Sequence, residues 1–200
     1  MSNLTMTRDT TPARKSMIDS QLRTSGVNEE FVLGRMMAVP REDYLPEEKR
    51  DLAYIDRSIG LGDAGHLASP LFYGKLILEA APSPDDTVLI VEGGTSYLTD
   101  LVAPLVNRVI KVTSDDAAKG SVPEGSFSLI LVDGALEDVN SAMVASLSDD
   151  GRIVSGLLLR DVTRLAAGRK IAGSLTLQPV EDLGIPVLHA FDKPKSWTFS

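Results

Sequence analysis

The sequence contains no cysteine, only two histidines, and no apolar run approaching the roughly 18 residues of a membrane-spanning helix. Without thiols there are no disulfides, no thiolate metal sites and no cysteine nucleophile. His66 and His189 lie far apart in the chain, so no zinc site is expected, and no Asp-rich loop suggests a calcium site. The start, MSNLTMTRDT, does not have the basic-then-apolar order of a secretory signal, which leaves a cytoplasmic protein without a membrane partner as the expectation. Positive charge is also scarce. Twenty Lys and Arg against 28 Asp and Glu give a net charge of −8, which repels phosphate backbones and excludes a general nucleic-acid binder. Internal repeats and low-complexity tracts are missing.

What is present is a balanced globular composition, 43% hydrophobic and 24% charged over 200 residues, enough for one domain with a sizeable core. Pro12 to Thr24 reads as a first helix, with Met17, Ile18 and Leu22 on one face and Thr10 or Thr11 before a proline at the start. Asn28 reads as the cap of a second helix, Glu29 to Val39, ended by Pro40. A short helix is expected around Glu47 to Leu52, and another from Ser69-Pro70 through LFYGKLILEAA. From Asp86 the period becomes that of strands: Val88 to Val91, Arg108 to Thr113, Ser128 to Asp133 and Arg152 to Gly156. The first meets two glycines and then a helix, as a doubly wound α/β sheet begins. Leu159 to Gly168 reads as a short helix. The pieces SLTLQPV, PVLHAF and SWTFS read as strands added antiparallel at the sheet edge, with Trp197 and Phe199 on one buried face. Residues 1–82 are thus a helical or lid segment and 83–200 an α/β domain, forming one compact unit.

Gly93, Gly94 and Thr95 supply a turn of small residues between a strand and a helix, where backbone N–H groups and the helix end can face an anionic or polar ligand. A purely structural turn fits these residues equally well. The three spaced glycines of a dinucleotide fold and the Gly-Lys-Ser/Thr phosphate loop are both absent.

The succession MIDSQLR, AVPREDYLP, LAYIDRSIGLG, SPLFYGKLILEA, TVLIVEGGTSYLTDLVAPLV, FSLILVDGAL and GRIVS resembles the protein-L-isoaspartate O-methyltransferase family, over nearly all of the chain after about Ala13. The resemblance implies a Rossmann-like methyltransferase sheet with an N-terminal helical lid. It also implies S-adenosylmethionine as methyl donor and isoaspartyl carboxylates of damaged proteins as acceptors. In such chemistry an activated sulfonium meets a carboxylate, and the rate comes mainly from positioning. The cofactor-binding positions carried over are Glu92, Gly93, Gly94, Thr95, Tyr97, Thr113 and Asp133. On the acceptor side they are Ser69 and Asp56.

Several of these positions depart from the family pattern of an acidic residue followed by Gly-x-Gly-x-Gly-Tyr. Ile90 stands for the acidic residue, Glu92 for the first glycine and Ser96 for the third, while Gly94 and Tyr97 are kept. Glu92 would put a charged side chain where a ligand must approach closely. Thr113 replaces the carboxylate that holds the ribose hydroxyls. Only fourteen residues, Ser114 to Phe127, separate the second strand from the third. A parallel crossover needs about a dozen by itself, so the family's usual extra helix and strand, and the adenine wall they provide, have no room. With Pro70 held in register, His66, Leu67, Ala68 and Ser69 occupy the family's Thr-Ile-Ser-x segment, and the serine site becomes Ala68. His66 reads as a packing or surface residue ahead of a catalytic base. Asp133 has two readings, a ligand contact at a strand end or the cap of a following helix.

Two functions follow. One is a methyltransferase-like pseudoenzyme without S-adenosylmethionine, kept as a binding or assembly module and able to form a homo-oligomer. The other is an active S-adenosylmethionine-dependent carboxyl methyltransferase acting on isoaspartyl residues of a protein or peptide.

Overall fold

The computed structural model describes residues 9–193. Helix α1 (Thr11–Met17) runs on through a π-helical turn (Ile18–Leu22) and a 3-10 turn (Arg23–Ser25), close to the expected span. Gly26, at φ 87°, stops it. Helix α2 covers Glu30–Ala38, with Glu29 rather than Asn28 at its N-cap, and the 47–52 segment is a 3-10 helix. A two-residue hairpin, β1 (Ile59–Gly60) and β2 (His66–Leu67), leads into α3 (Pro70–Ala80), which Ser69 caps by accepting from the Phe72 amide at 3.2 Å.

The sheet consists of β3 (Thr87–Glu92), β4 (Arg108–Thr113), β5 (Phe127–Leu136), β6 (Leu147–Leu159), β7 (Val162–Arg169) and β8 (Gln178–Asp182), in the order β4-β3-β5-β6-β7-β8. The first four neighbours run parallel, and β7 and β8 are antiparallel additions. Helix α4 (Tyr97–Val102) joins β3 to β4. Helix α5 (Ser114–Ala118) lies in the connection that returns to the other side of β3, and α6 (Ser141–Ser146) precedes β6. The chain therefore reverses direction across β3, and the loops after β3 and β5 diverge at the crevice where open α/β sheets place ligands.

Val88 to Val91 are fully buried because both faces of β3 are covered. One face packs on α1 to α4, through Leu22, Met36, Phe72, Leu76 and Leu98 with Val88 and Ile90. The other packs Leu89 and Val91 on Ala117, Met143, Leu188 and Phe191.

Three expectations are corrected. Leu159 to Gly168 is not a helix but the turn and most of the second arm of the β6–β7 hairpin, because its half-exposed residues pair with the strand Arg152–Leu159, whose central residues Ile153 to Gly156 are buried. In SLTLQPV only the end from Gln178 is strand. In PVLHAF, Val187 makes a single bridge to Ala135 and His189–Phe191 close a 3-10 turn, so Leu188 and Phe191 pack as plugs on the sheet. The segment SWTFS and its Trp197 and Phe199 lie outside the described residues. Among the described residues no helix is long and apolar enough to cross a membrane.

At the end of the sheet away from the crevice, Asp86 ties three strands together. Its carboxylate accepts from Arg152 at 2.7 and 3.1 Å, from Ser128 Oγ at 2.6 Å and from the Ser83 amide at 2.8 Å. Arg152 also donates to the carbonyls of Ala80 and Ala81 at the end of α3. Burial alone raises the Asp86 carboxyl, but the hydrogen bonds from Arg152, Ser128 and Ser83 and the Arg152 charge outweigh it and hold the group below its usual value of 3.8. A depressed folded value contributes stability above the unfolded value and loses it as pH falls through the folded one. We expect Arg152→Met to cost about 2–4 kcal/mol at neutral pH and to flatten the loss of stability below about pH 4, both read from urea unfolding across pH.

Candidate functional site

The crevice after β3 and β5 is built from Glu92, Gly93 and Gly94 on one side and Asp133 and Gly134 on the other. It is filled by the chain itself. The 3-10 turn Gly62–Ala64, closed by the Leu61 amide on the Gly65 carbonyl at 2.8 Å, pushes the β1–β2 loop onto the glycine turn. The His66 amide donates to the Gly93 carbonyl at 3.0 Å. A Cβ on Gly94 (φ 139°) would stand 2.2 Å from the Ala64 carbonyl oxygen and 2.6 Å from the His66 nitrogen. One on Gly65 (φ 95°) would stand 2.1 Å from the Gly93 carbonyl oxygen. Only glycines permit this backbone-on-backbone contact.

His66 then completes the seal. Its Nε2 lies 3.0 Å from the Asp133 carbonyl oxygen, which can only accept, so Nε2 carries the proton. The same nitrogen is 3.7 Å from Asp133 Oδ1. Asp133 is fully buried, and its Oδ2 accepts from Tyr73 Oη at 3.1 Å, while Oδ1 has no hydrogen-bond partner among the described residues. Tyr73 Oη also accepts from the Ala68 amide at 3.1 Å. Burial and the Asp133 charge push the Tyr73 hydroxyl well above its ordinary value, so it stays protonated and keeps donating.

Below this lies an aromatic stack. Tyr97 packs edge-on against Tyr73 at 4.9 Å and Tyr44 at 5.1 Å, and the buried Arg41 guanidinium sits 5.1 Å over Tyr97 and 5.6 Å over Tyr73. Burial pushes the Tyr97 hydroxyl up to about 12 against the opposing charge of Arg41. Arg41 donates to the carbonyls of Ala53 and Ala68, both at 2.7 Å, which fixes the approach of the loop leading to β2.

The structure separates the residues singled out in the sequence into three groups. Gly93, Gly94, Tyr97 and Asp133 meet in the sealed crevice, with Tyr97 behind it as core. Asp133 caps no helix, because β5 continues through Leu136. Glu92, Thr95 and Thr113 are engaged in local structure. Glu92 turns toward β4, pairing with Lys111 at 3.1 Å and accepting from Thr99 at 3.4 Å, and does not fill the turn. Thr95 Oγ1 accepts from the Tyr97 amide at 3.4 Å, and Thr113 caps α5 by accepting from the Asp116 amide at 3.1 Å. Asp56 and Ser69 line a separate open cleft of about 590 Å³, with Arg57, His66, Thr163 and Ile185. Ala64, Tyr73 and Arg41, which seal and support the crevice, escaped notice in the sequence. The dense glycines Gly60, Gly62 and Gly65 were the available signal for close backbone approach.

A nucleoside donor at this crevice needs the face of the glycine turn and a ribose anchor at the end of β4. The turn is covered by Ala64 to His66, the Thr113 hydroxyl is spent on a helix cap, and Asp133 is buried under His66 and Tyr73. In this geometry the residues present do not fit the donor.

The parallel sheet with its switch point and N-terminal helices is that of a Rossmann-like methyltransferase. The family model described as Protein-L-isoaspartate(D-aspartate) O-methyltransferase (PCMT) matches residues 13–119, and the chain belongs to that family. A protein-L-isoaspartate O-methyltransferase of Koribacter versatilis is 28% identical over 193 residues, covering 84% of this chain and 87% of the relative. One of Desulfosudis oleivorans is 26% identical over 166 residues, covering 71% and 75%. A solved Plasmodium falciparum structure described as a beta-aspartate methyltransferase (PCMT), in complex with S-adenosyl-L-homocysteine, superposes with a TM-score of 0.70. It is 18% identical and covers 88% of this chain and 97% of that one.

The seal can be measured by substitution. Gly65→Ala adds both a clash and left-handed strain and is expected to cost about 2–4 kcal/mol. Gly62→Ala (φ 63°), whose Cβ meets nothing within 4 Å, adds strain alone and is expected to cost about 1 kcal/mol. Urea midpoints of the two variants read the difference.

Proposed function

We propose that this member of the protein-L-isoaspartate O-methyltransferase family no longer binds S-adenosylmethionine, and that its fold serves in the cytoplasm as a binding or assembly module. The observation that carries this reading is the contact of Ala64 to His66 on Gly93 and Gly94, because any ligand there must displace hydrogen-bonded backbone and leave His66 and Asp133 unpaired. Thr113, spent on a helix cap, and the buried Asp133 support it from independent directions.

A second reading, an active carboxyl methyltransferase on isoaspartyl residues, is favoured by one observation. Asp56 and Ser69 line a common open cleft, as an acceptor site requires, and His66 connects that cleft to the crevice. In this reading the 61–66 loop leaves the glycine turn before the donor enters.

Calorimetry separates the two. We expect no binding heat when S-adenosylmethionine or S-adenosylhomocysteine is titrated to about 1 mM, and no shift in melting temperature at that concentration. Glu92→Gly alone is expected to remain silent, since the loop and not Glu92 fills the turn. Binding below about 1 mM that is weakened by Gly94→Ala or Asp133→Asn contradicts the proposal.

A further inference from the structure

The open edge of the sheet at β4 points to a partner. Among the described residues β4 pairs only with β3, so every second residue from Arg108 to Thr113 turns its N–H and C=O away from the sheet. The opposite edge, β8, is blunted by Pro179 and by acidic side chains already paired, Glu181 with Lys75 at 2.8 Å and Asp182 with Arg164 at 2.7 Å. At β4 there is no proline. Val109 and Ile110 are half-exposed on opposite faces, which is the state of residues lacking a neighbouring strand.

The charges along this edge identify the occupant. Arg108 opens the strand and Asp115 follows its end. Both are exposed, and neither side chain has a hydrogen-bond or ion-pair partner among the described residues. An edge that is positive at its start and negative past its end is complementary to its own sequence run in the opposite direction. We propose that β4 is a homodimer interface, in which a second copy of this chain adds its β4 antiparallel about a twofold axis through Lys111.

In that register Ile110 faces Val112 of the partner subunit, Val109 faces Thr113 of the partner subunit, and Arg108 lies beside the partner's Asp115. The two Lys111 ammoniums meet at the axis, where like charges repel, but each is already held 3.1 Å from its own Glu92. Six residues per strand make a small interface, so the dissociation constant is expected near the micromolar range. This inference does not depend on whether the donor site is closed.

Sedimentation equilibrium of the full chain tests it. We expect a species of twice 21.4 kDa. Arg108→Asp or Asp115→Arg alone should weaken the dimer about 10-fold, because each replaces two symmetric attractions by repulsions. The combined Arg108→Asp/Asp115→Arg chain should recover to within about 3-fold of the original, which a misfolded variant cannot do. A monomer at every concentration to about 200 μM overturns the proposal, as does a dimer indifferent to the single changes or a loss that the charge swap does not repair. A strand from a different protein on this edge, with the chain itself monomeric, overturns it equally.

Discussion

The contact on which the site depends is backbone against backbone. Ala64 to His66 lie on Gly93 and Gly94 so closely that a single methyl at Gly65 or Gly94 would collide with the facing carbonyl oxygen. Everything around the crevice accommodates that contact. The His66 ring can reach the Asp133 carbonyl only from there, and the Asp133 carboxylate turns inward to Tyr73. Arg41, held between two aromatic rings, then fixes Ala53 and Ala68 on either side of the loop. A buried carboxylate costs several kcal/mol unless it is hydrogen-bonded, and the one such bond to the Asp133 carboxylate among the described residues comes from Tyr73, while His66 bonds the Asp133 main-chain carbonyl.

The far end of the scaffold is held by contacts away from this seal. Two apolar layers cover β3 and β5, and the Asp86–Arg152 pair ties the far end of the sheet. A fold secured at that end can lose or gain a ligand at the other without unfolding, which is how function comes to reside in a site grafted on a common fold. Family membership therefore describes the sheet and the order of elements, while the chemistry rests on a few residues at the switch point.

Much of this was legible in the sequence. The continuous apolar run Val88 to Val91 marks a strand covered on both faces, and the shift from helical to strand period near Asp86 marks the start of the sheet. Ser69-Pro70 announces its helix by cap and first-turn chemistry. The misreadings have physical causes. Leu159 to Gly168 pairs with β6 across a tight turn, and this long-range pairing overrides a local pattern that is only half apolar. PVLHAF has strand-like residues, but their apolar side chains go to the sheet face as plugs. At the site, the sequence shows which family residues are replaced but not what takes up the space. Glu92 was expected to fill the turn, yet its carboxylate has a nearby cation in Lys111, and the turn is covered by residues about 30 positions earlier. A contact between two distant backbone segments leaves only a surplus of glycine as its trace.

The most direct measurement is a crystal structure grown in the presence of excess S-adenosylhomocysteine. Residues 62–66 are expected to stay seated on Gly93 and Gly94, with the His66 amide on the Gly93 carbonyl and no nucleoside between them. An ordered nucleoside against residues 92–97, with the loop swung away and Asp133 turned toward it, would contradict the account.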